Sequence, residues 1–310
     1  MNAIRAEGLS RRFGDTVAVD RLTFAVDEGE IFGLVGPDGA GKTTAMRLLT
    51  GILDPTEGDG WVMGHSIRTE AGRIHDNIGY MSQRFGLYPD LTVLENIRFY
   101  ADLYGVPSGG RREKIEELLG FGNLTPFRHR FAGNLSGGMK QKLGLACALV
   151  HTPRVLFLDE PTNGVDPVSR RDFWRILYRL LRERVTIFVS TAYLDEAERF
   201  QRLALLHMGG FLAVGTPEEV KALFPGAILE VRCAEPRRAA EILRNELPGT
   251  AVTLFGERVH VGVKDPDRAV AGVEKVLKGA QIPSSSIRKI EPSLEDIFVS
   301  MVSSGRERGR

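Results

Sequence analysis

Cysteine is scarce. Only Cys147 and Cys233 occur in 310 residues, far apart, and neither stands at a metal-binding or redox spacing from a partner. That excludes a disulfide framework and a thiolate metal site, and the two thiols read as buried side chains in a reducing compartment. The six histidines also lack ligand spacing, so no zinc site is expected. An excess of charge is missing too. Against 40 Asp and Glu stand 41 Lys and Arg, a formal net charge of +1, which gives no electrostatic footprint for nucleic acid. Long apolar runs are absent: residues 143–150, LGLACALV, form one of the longest and fall well short of the ~20 residues that span a bilayer as a helix. The opening MNAIRAEGLSRRFG has no apolar stretch after its charges and does not read as a secretion signal. Any service to a membrane would run through a partner. What is present is an ordinary globular composition, 43% hydrophobic and 26% charged, enough for the core of one large domain or two ordinary ones.

Apolar runs at 31–35, 78–81, 155–158 and 185–189 each end at glycine or polar residues and lead into helical patterns. Continuous apolar runs suit parallel strands buried on both faces. Strand alternating with helix predicts a doubly wound α/β core. Runs 203–207 and 211–214 meet across Met208-Gly209-Gly210, a hairpin signal. Between Gln83 and Pro153 the pattern turns helical. Thr92-Val93-Leu94-Glu95 is a capping box, opening a helix that Gly105 and Pro107 close. Further helices are expected at 112–119 and 136–150, giving a helical insert over about 84–153. A boundary falls near Gly215-Thr216-Pro217. Beyond it the patterns read strand, helix, strand, strand, helix, strand, the order of a ferredoxin-like unit, with a last helix at 294–301. The expected domains are 1–216 and 217–302, followed by a polar, disordered tail over 303–310.

Chemistry concentrates at three places. Gly36-Pro37-Asp38-Gly39-Ala40-Gly41-Lys42-Thr43 fits G-x-x-x-x-G-K-[ST], and Thr44 follows. Its glycines let backbone N–H groups turn inward around a polyphosphate, and the helix from Lys42 offers its positive end to the same anion. Lys42 supplies a charge to the β and γ phosphates, and the Thr43 hydroxyl suits Mg²⁺. Next, residues 155–160, VLFLDE, form a buried strand ending in two carboxylates. Asp159 suits Mg²⁺ through water, and Glu160 suits orienting an attacking water. Finally, Leu135-Ser136-Gly137-Gly138-Met139 opens the third insert helix, with Ser136 as N-cap.

Taken in order, GPDGAGKTT, YMSQ, LSGGMKQK, VLFLDEP, NGVD and STAYLDEAE resemble the phosphate loop, Q-loop, signature, Walker B strand, D-loop and switch region of ABC transporter ATPases. The resemblance covers residues 1–216. More narrowly, GPDGAGKTT, RFGLYPDLTVLENI and LSGGMKQKLGLACALV look like the YbhF-type branch of ABC-2 drug exporters, in particular the first cassette of a fused pair. EPSLEDIFVSMV resembles the small C-terminal domain that ABC-2 exporter ATPases carry. The resemblance implies an α/β P-loop NTPase core with a helical insert subdomain, then a small α+β ferredoxin-like domain. It implies an ATPase using ATP and Mg²⁺, with two nucleotide-binding domains, identical or not, sandwiching ATP head to tail. Residues Gly36, Pro37, Asp38, Gly39, Ala40, Gly41, Lys42, Thr43 and Thr44 would cradle one nucleotide. Ser136, Gly137 and Gly138 would reach the γ-phosphate held by the partner domain, and Asp166 would couple the two sites. By the same resemblance Phe13 stacks on adenine. Gln83 senses Mg²⁺ and the γ-phosphate, and joins Thr43 and Asp159 as a metal contact and Glu160 as a catalytic residue. Phe85, Leu87 and Tyr88 are candidates to meet an ABC-2 permease with transmembrane helices. The chain would then sit peripherally on the cytoplasmic face of the membrane, with no nucleic-acid partner.

One position departs from that family. Its switch histidine follows a strand-end Ser-Thr pair, where this chain has Ala192. A methyl group donates no hydrogen bond to a γ-phosphate. Losing one transition-state donor costs about 10²–10³ in rate, while Lys42, Mg²⁺ and the backbone cradle would still bind. The expectation is tight Mg-ATP binding with slow hydrolysis. Two further readings stay open: a soluble ABC ATPase acting on ribosomes or DNA, and a regulatory ATP-binding module with little turnover.

Overall fold

The computed structural model describes residues 1–83, 86–247 and 250–308, with side chains through Ser303. The chain divides into two units: Met1–Tyr193 with Phe200–Phe211, and Leu194–Arg199 with Leu212–Arg310.

Two long strands open the first unit, β1 (Asn2–Phe13) and β2 (Thr16–Asp27). After them come β3 (Ile31–Val35), α1 (Lys42–Leu49), β4 (Glu57–Val62), β5 (His65–Ser66), α2 (Ala71–His75) and β6 (Ile78–Met81). Three helices follow, α3 (Val93–Leu103), α4 (Arg111–Phe121) and α5 (Gly137–Ala148), all inside the stretch expected to be helical. The capping box of Thr92 and Glu95 is formed at the start of α3. Next are β7 (Val155–Asp159), α6 (Pro167–Arg182), β8 (Thr186–Thr191), β9 (Arg202–His207) and β10 (Gly210–Gly215). A six-stranded sheet runs β10-β9-β3-β8-β7-β6, and β9, β3, β8, β7 and β6 are mutually parallel. Every residue of β3, β7 and β8 is buried, as their unbroken apolar sequences require. The hairpin from β9 to β10 turns on Met208 and Gly209, both at positive φ (48° and 83°), the two-residue turn whose twist matches its strands.

A second sheet, β2-β1-β4-β5, is antiparallel. It has no counterpart in the sequence reading. Arg11, Arg12 and a glycine interrupt the apolar alternation of β1, and its pairing with β2 carries several register shifts. Helix α1 joins this sheet to the parallel one. Its Ala45, Met46, Leu48 and Leu49 share one buried cluster with Ile4, Leu9, Leu22 and Val62 on one side and Phe32, Phe157 and Phe188 on the other. Phe32 stacks on Phe188 and on Phe24, with ring centroids 5.5 and 5.6 Å apart. The phosphate-loop helix is thereby clamped between two sheets.

The second unit contains α7 (Pro217–Ala222), β11 (Ala227–Cys233), α8 (Pro236–Glu246), β12 (Val252–Phe255), β13 (Arg258–Val263), α9 (Pro266–Gly279), β14 (Ser284–Ile290) and α10 (Leu294–Arg308). Its sheet order β12-β13-β11-β14, antiparallel throughout, is that of a ferredoxin-like fold. Leu229, Val231, Val259 and Val261 pack on Ala239, Ala240 and Leu243 of α8 and on Val273 and Leu277 of α9. The opposite face is polar. There Glu230, 4% exposed, accepts from Arg232, Arg258 and Arg288 at 3.0–3.1 Å. Helix α10 runs to Arg308, into the stretch 303–310 expected as a tail. Its serines and glycine include no proline to stop it, and the Ser303 hydroxyl bonds back to the Val299 carbonyl at 2.8 Å.

Two stability predictions follow from this packing. A Cβ on Gly33 of β3 would lie 2.1 Å from the Phe200 ring. Gly33→Ala is therefore expected to destabilise the protein by about 1–3 kcal/mol, as overpacking does, measured as a lower urea midpoint at unchanged slope. The second concerns Asp296, buried at 4%. Burial alone would raise its carboxyl, but hydrogen bonds from His260 Nδ1 (2.9 Å) and the Ser293 hydroxyl and N–H outweigh this and hold it below the usual carboxylate range. A depressed folded value means stabilisation that is complete above the unfolded pKa of about 3.9 and lost as pH falls through the folded value. Asp296→Asn should lower stability at pH 7 and flatten its fall below pH ~4 in urea titrations.

Candidate nucleotide site

The site begins where β3 ends. Gly36 N–H donates to the Thr191 carbonyl at 3.1 Å, and Ala40 N–H to Pro37 O at 3.2 Å, closing the loop on itself. Gly41 makes the turn into α1 at φ 106°, and a Cβ there would lie 2.3 Å from the Ala18 carbonyl oxygen. Only glycine meets both demands. The first N–H groups of α1 have no acceptors within the helix and carry its positive partial charge. Thr43 and Thr44 are half-buried at that end. Loop, helix start and lysine form an anion cradle.

Lys42 is 4% exposed. Its Nζ donates to Gly36 O (2.8 Å) and Pro37 O (3.0 Å) and lies 2.9 Å from Glu160 Oε1. Exposed Asp38 stands 3.9 Å from the same ammonium. Glu160 is 8% exposed and holds φ at +49°, uncommon for a residue with a Cβ. Its N–H is fixed by Ser190, with the hydroxyl at 3.0 Å and the carbonyl at 3.2 Å. Its Oε2 accepts from Gln83 Nε2 at 2.9 Å and Asn163 Nδ2 at 3.1 Å. Parallel register explains the meeting. Val35 pairs with Thr191, Asp159 with Ser190 and Met81 with Leu158, so four strands end on one line, where α/β sheets place their ligands.

Asp159 is 1% exposed. Its Oδ1 accepts from Ser190 Oγ at 2.6 Å, while Oδ2 is buried without a hydrogen-bond partner. A carboxylate oxygen desolvated in this way needs a compensating charge. A hard cation held directly or through water fits that unsatisfied oxygen.

The remaining predicted residues stand elsewhere. Phe13, at the end of β1, is 48% exposed with the Arg11 guanidinium 4.7 Å from its ring centroid. Ser136 caps α5, accepting from Met139 N–H at 3.3 Å. Gly138 packs so tightly on α6 that a Cβ would lie 2.4 Å from Ser169 Cβ, and a Cβ on Gly137 would face the Gly164 carbonyl at 3.8 Å. Asp166 caps α6 by accepting from the Val168 and Ser169 N–H groups at 3.1 and 2.9 Å. The bonds from Ser169 hold its carboxyl below the usual range. Ala192 follows β8, half-buried, and brings no polar side-chain atom. Of the expected contact patch, Phe85 lies outside the described residues. Tyr88 is exposed and meets Phe99 edge-on at 4.6 Å. Its loop is pinned by buried Asn96, which bonds both the N–H and the carbonyl of Tyr88. Sequence reasoning missed Ser190, Asn163 and Tyr193. The polar closure of an apolar strand marks Ser190, and the other two are brought in only by folding.

Lys42→Ala is expected to weaken binding of a nucleoside triphosphate about 10–100-fold, the equivalent of one hydrogen bond to a charged group. Titration calorimetry measures it.

Comparison with known proteins agrees with this geometry. Residues 19–163 match the ABC transporter family and residues 215–302 the C-terminal domain of DrrA1-3-like ATP-binding proteins. The chain is 41% identical over 303 residues to the probable multidrug ABC transporter ATP-binding protein YbhF of Escherichia coli (strain K12), covering 96% of this chain and 52% of that one. It thus spans about half the length of that relative. It is 34% identical to the daunorubicin resistance ATP-binding protein DrrA2 of Streptomyces coeruleorubidus, covering 96% of this chain and 94% of the other. Among solved structures, an ATP-binding subunit of an ABC transporter superposes with a TM-score of 0.65 at 28% identity, covering 72% of this chain and 93% of that one. The phosphate loop, the paired carboxylates and these likenesses place the chain in one family: it belongs to the ATP-binding proteins of the ABC transporter family.

Proposed function

We propose that this chain is the energy-coupling ATPase of an ABC-2 type exporter, and that its own site turns over slowly. The observation that carries this is Glu160 held between Lys42 on one carboxylate oxygen and Gln83 on the other, each at 2.9 Å, with an alanine at the switch position. Phosphate oxygens of ATP would compete with Glu160 for Lys42, while the loop 36–44 wraps them with backbone N–H groups. Glu160, freed at Oε1, would accept a proton from the attacking water. Thr43, Gln83 and Asp159 would hold Mg²⁺, which when bound neutralises charge on the phosphate oxygens. Phe13 offers a flat face to adenine.

Ser136, Gly137 and Gly138 form the start of a second helix, which suits an anion presented by another nucleotide-binding domain. Asp166, at the adjoining helix start, would link the two sites. A permease would bind at the exposed aromatic ridge of Tyr88, Phe99 and Tyr104, which supports a peripheral position on the cytoplasmic face of a membrane. Among the described residues no helix is long and apolar enough to cross one. The names of the relatives, a probable multidrug transporter protein and a daunorubicin resistance protein, favour drug-like molecules as cargo.

The Ala192 reading is tested directly. Ala192→His should raise the single-turnover rate of ATP hydrolysis about 10²-fold, the typical worth of one transition-state donor, with affinity for ATP little changed. Equal rates for parent and variant would refute slow turnover at this site. Hydrolysis that rises when a permease is reconstituted with the chain in lipid supports the exporter assignment, and indifference to it counts against.

A further inference from the structure

Glu160 is also held by Asn163, the first residue of the NGVD stretch. Asn163 reaches its Oε2 with Nδ2 at 3.1 Å and donates its own N–H to the Glu160 carbonyl at 3.1 Å. On its far side, Asn163 Oδ1 lies 3.2 Å from the Tyr193 hydroxyl. The direction of these bonds is forced by chemistry. An ionised carboxylate only accepts, so the Asn163 amide must turn its NH₂ toward Glu160, its carbonyl oxygen then faces Tyr193, and the phenol must donate. Tyr193 is itself fixed at both ends. Its N–H donates to Thr191 Oγ1 at 3.0 Å, and the Arg170 guanidinium covers its ring at 4.4 Å, a cation–π contact.

We propose that Asn163 and Tyr193 are positioning residues that act in series on the Glu160 carboxylate, an inference that rests on reading Glu160 as the group that polarises water. The two carboxylate oxygens have different partners. Oε1 faces the Lys42 ammonium, while Oε2 carries the Gln83 and Asn163 amides. When Lys42 turns to a polyphosphate, the carboxylate loses its contact with that ammonium but keeps both amides. Gln83 and Asn163 are both exposed, so neither amide is held by burial. Asn163 sits one turn from Glu160 and is braced by Tyr193, whose position follows the closing residues of β8. The segment at the switch position therefore serves the site through the phenol of Tyr193, where Ala192 brings only a methyl group. Positioned this way, Oε1 points at the place Lys42 vacates, ready to take a proton from water, and a loosely held carboxylate would lose rate by misorientation rather than by weaker nucleotide binding.

The test uses the full chain in excess over radiolabelled Mg-ATP, measuring the single-turnover rate constant and the protein concentration that half-saturates it. Asn163→Ala removes the amide donor and should slow hydrolysis about tenfold, and Tyr193→Phe, which keeps the ring and loses only the hydroxyl, about threefold. Half-saturation should stay within about twofold of the parent, because neither side chain is expected to touch nucleotide. Since the two act through one bond chain, the double variant should be no slower than Asn163→Ala alone. Both residues are outside the core, so thermal midpoints should match the parent. Rates equal to the parent for both single variants overturn the proposal. So does a double variant as slow as the product of the singles, or a rate loss that arrives with weakened half-saturation and a lower midpoint. Glu160→Gln is measured alongside. If it alone keeps the parent rate, the reading of Glu160 fails and the tether falls with it. If it abolishes turnover while Asn163→Ala and Tyr193→Phe do not slow it, only the tether is lost.

Discussion

A lysine and a glutamate, both almost fully buried, face each other across 2.9 Å at the carboxyl edge of a parallel sheet. Neither charge would be tolerated there alone, because removing an ion from water costs several kcal/mol even after relaxation. The surroundings are built to satisfy the pair. Lys42 donates to two carbonyls of its own loop, and Glu160 accepts from two amides and is pinned through its N–H by Ser190. That arrangement also makes the site responsive. Lys42 has three donors and a flexible stem, so a polyphosphate can outbid a single carboxylate for it. Glu160 cannot follow, because its backbone is locked at positive φ at the end of β7.

The same economy governs the neighbouring carboxylate. Asp159 shares Ser190 with Glu160, taking the hydroxyl proton on one oxygen and leaving the other buried and unsatisfied. One serine thus orders two acids of different use, one suited to a hard cation and one to a proton. Ser136 and Asp166 follow a different logic: their side chains cap α5 and α6, and Gly138 permits the two helix starts to lie against each other.

The second unit keeps its chemistry structural. Its sheet buries one apolar face under α8 and α9, and on the other face a single carboxylate gathers three guanidinium groups. It also includes Leu194–Arg199, the residues directly after Tyr193, where Glu198 pairs with Lys221 at 2.6 Å.

What the amino-acid order determined was the set of buried parallel strands, the loop between β3 and α1, the helical insert and the βαββαβ order of the second unit. Each has a local cause: unbroken apolar runs, glycines before a lysine, capping boxes, and alternating helix and strand periods. Lys42, Asp159 and Glu160 could be singled out for the same reason, because each stands in a short local pattern. The β1-β2-β4-β5 sheet was not, because its strands are irregular in pattern and gain their stability from pairing and from the face of α1. Ser190, Asn163 and Tyr193 became site residues only in the folded molecule, since the register of parallel strands and the turn after β7 bring together side chains that lie thirty residues apart in the chain.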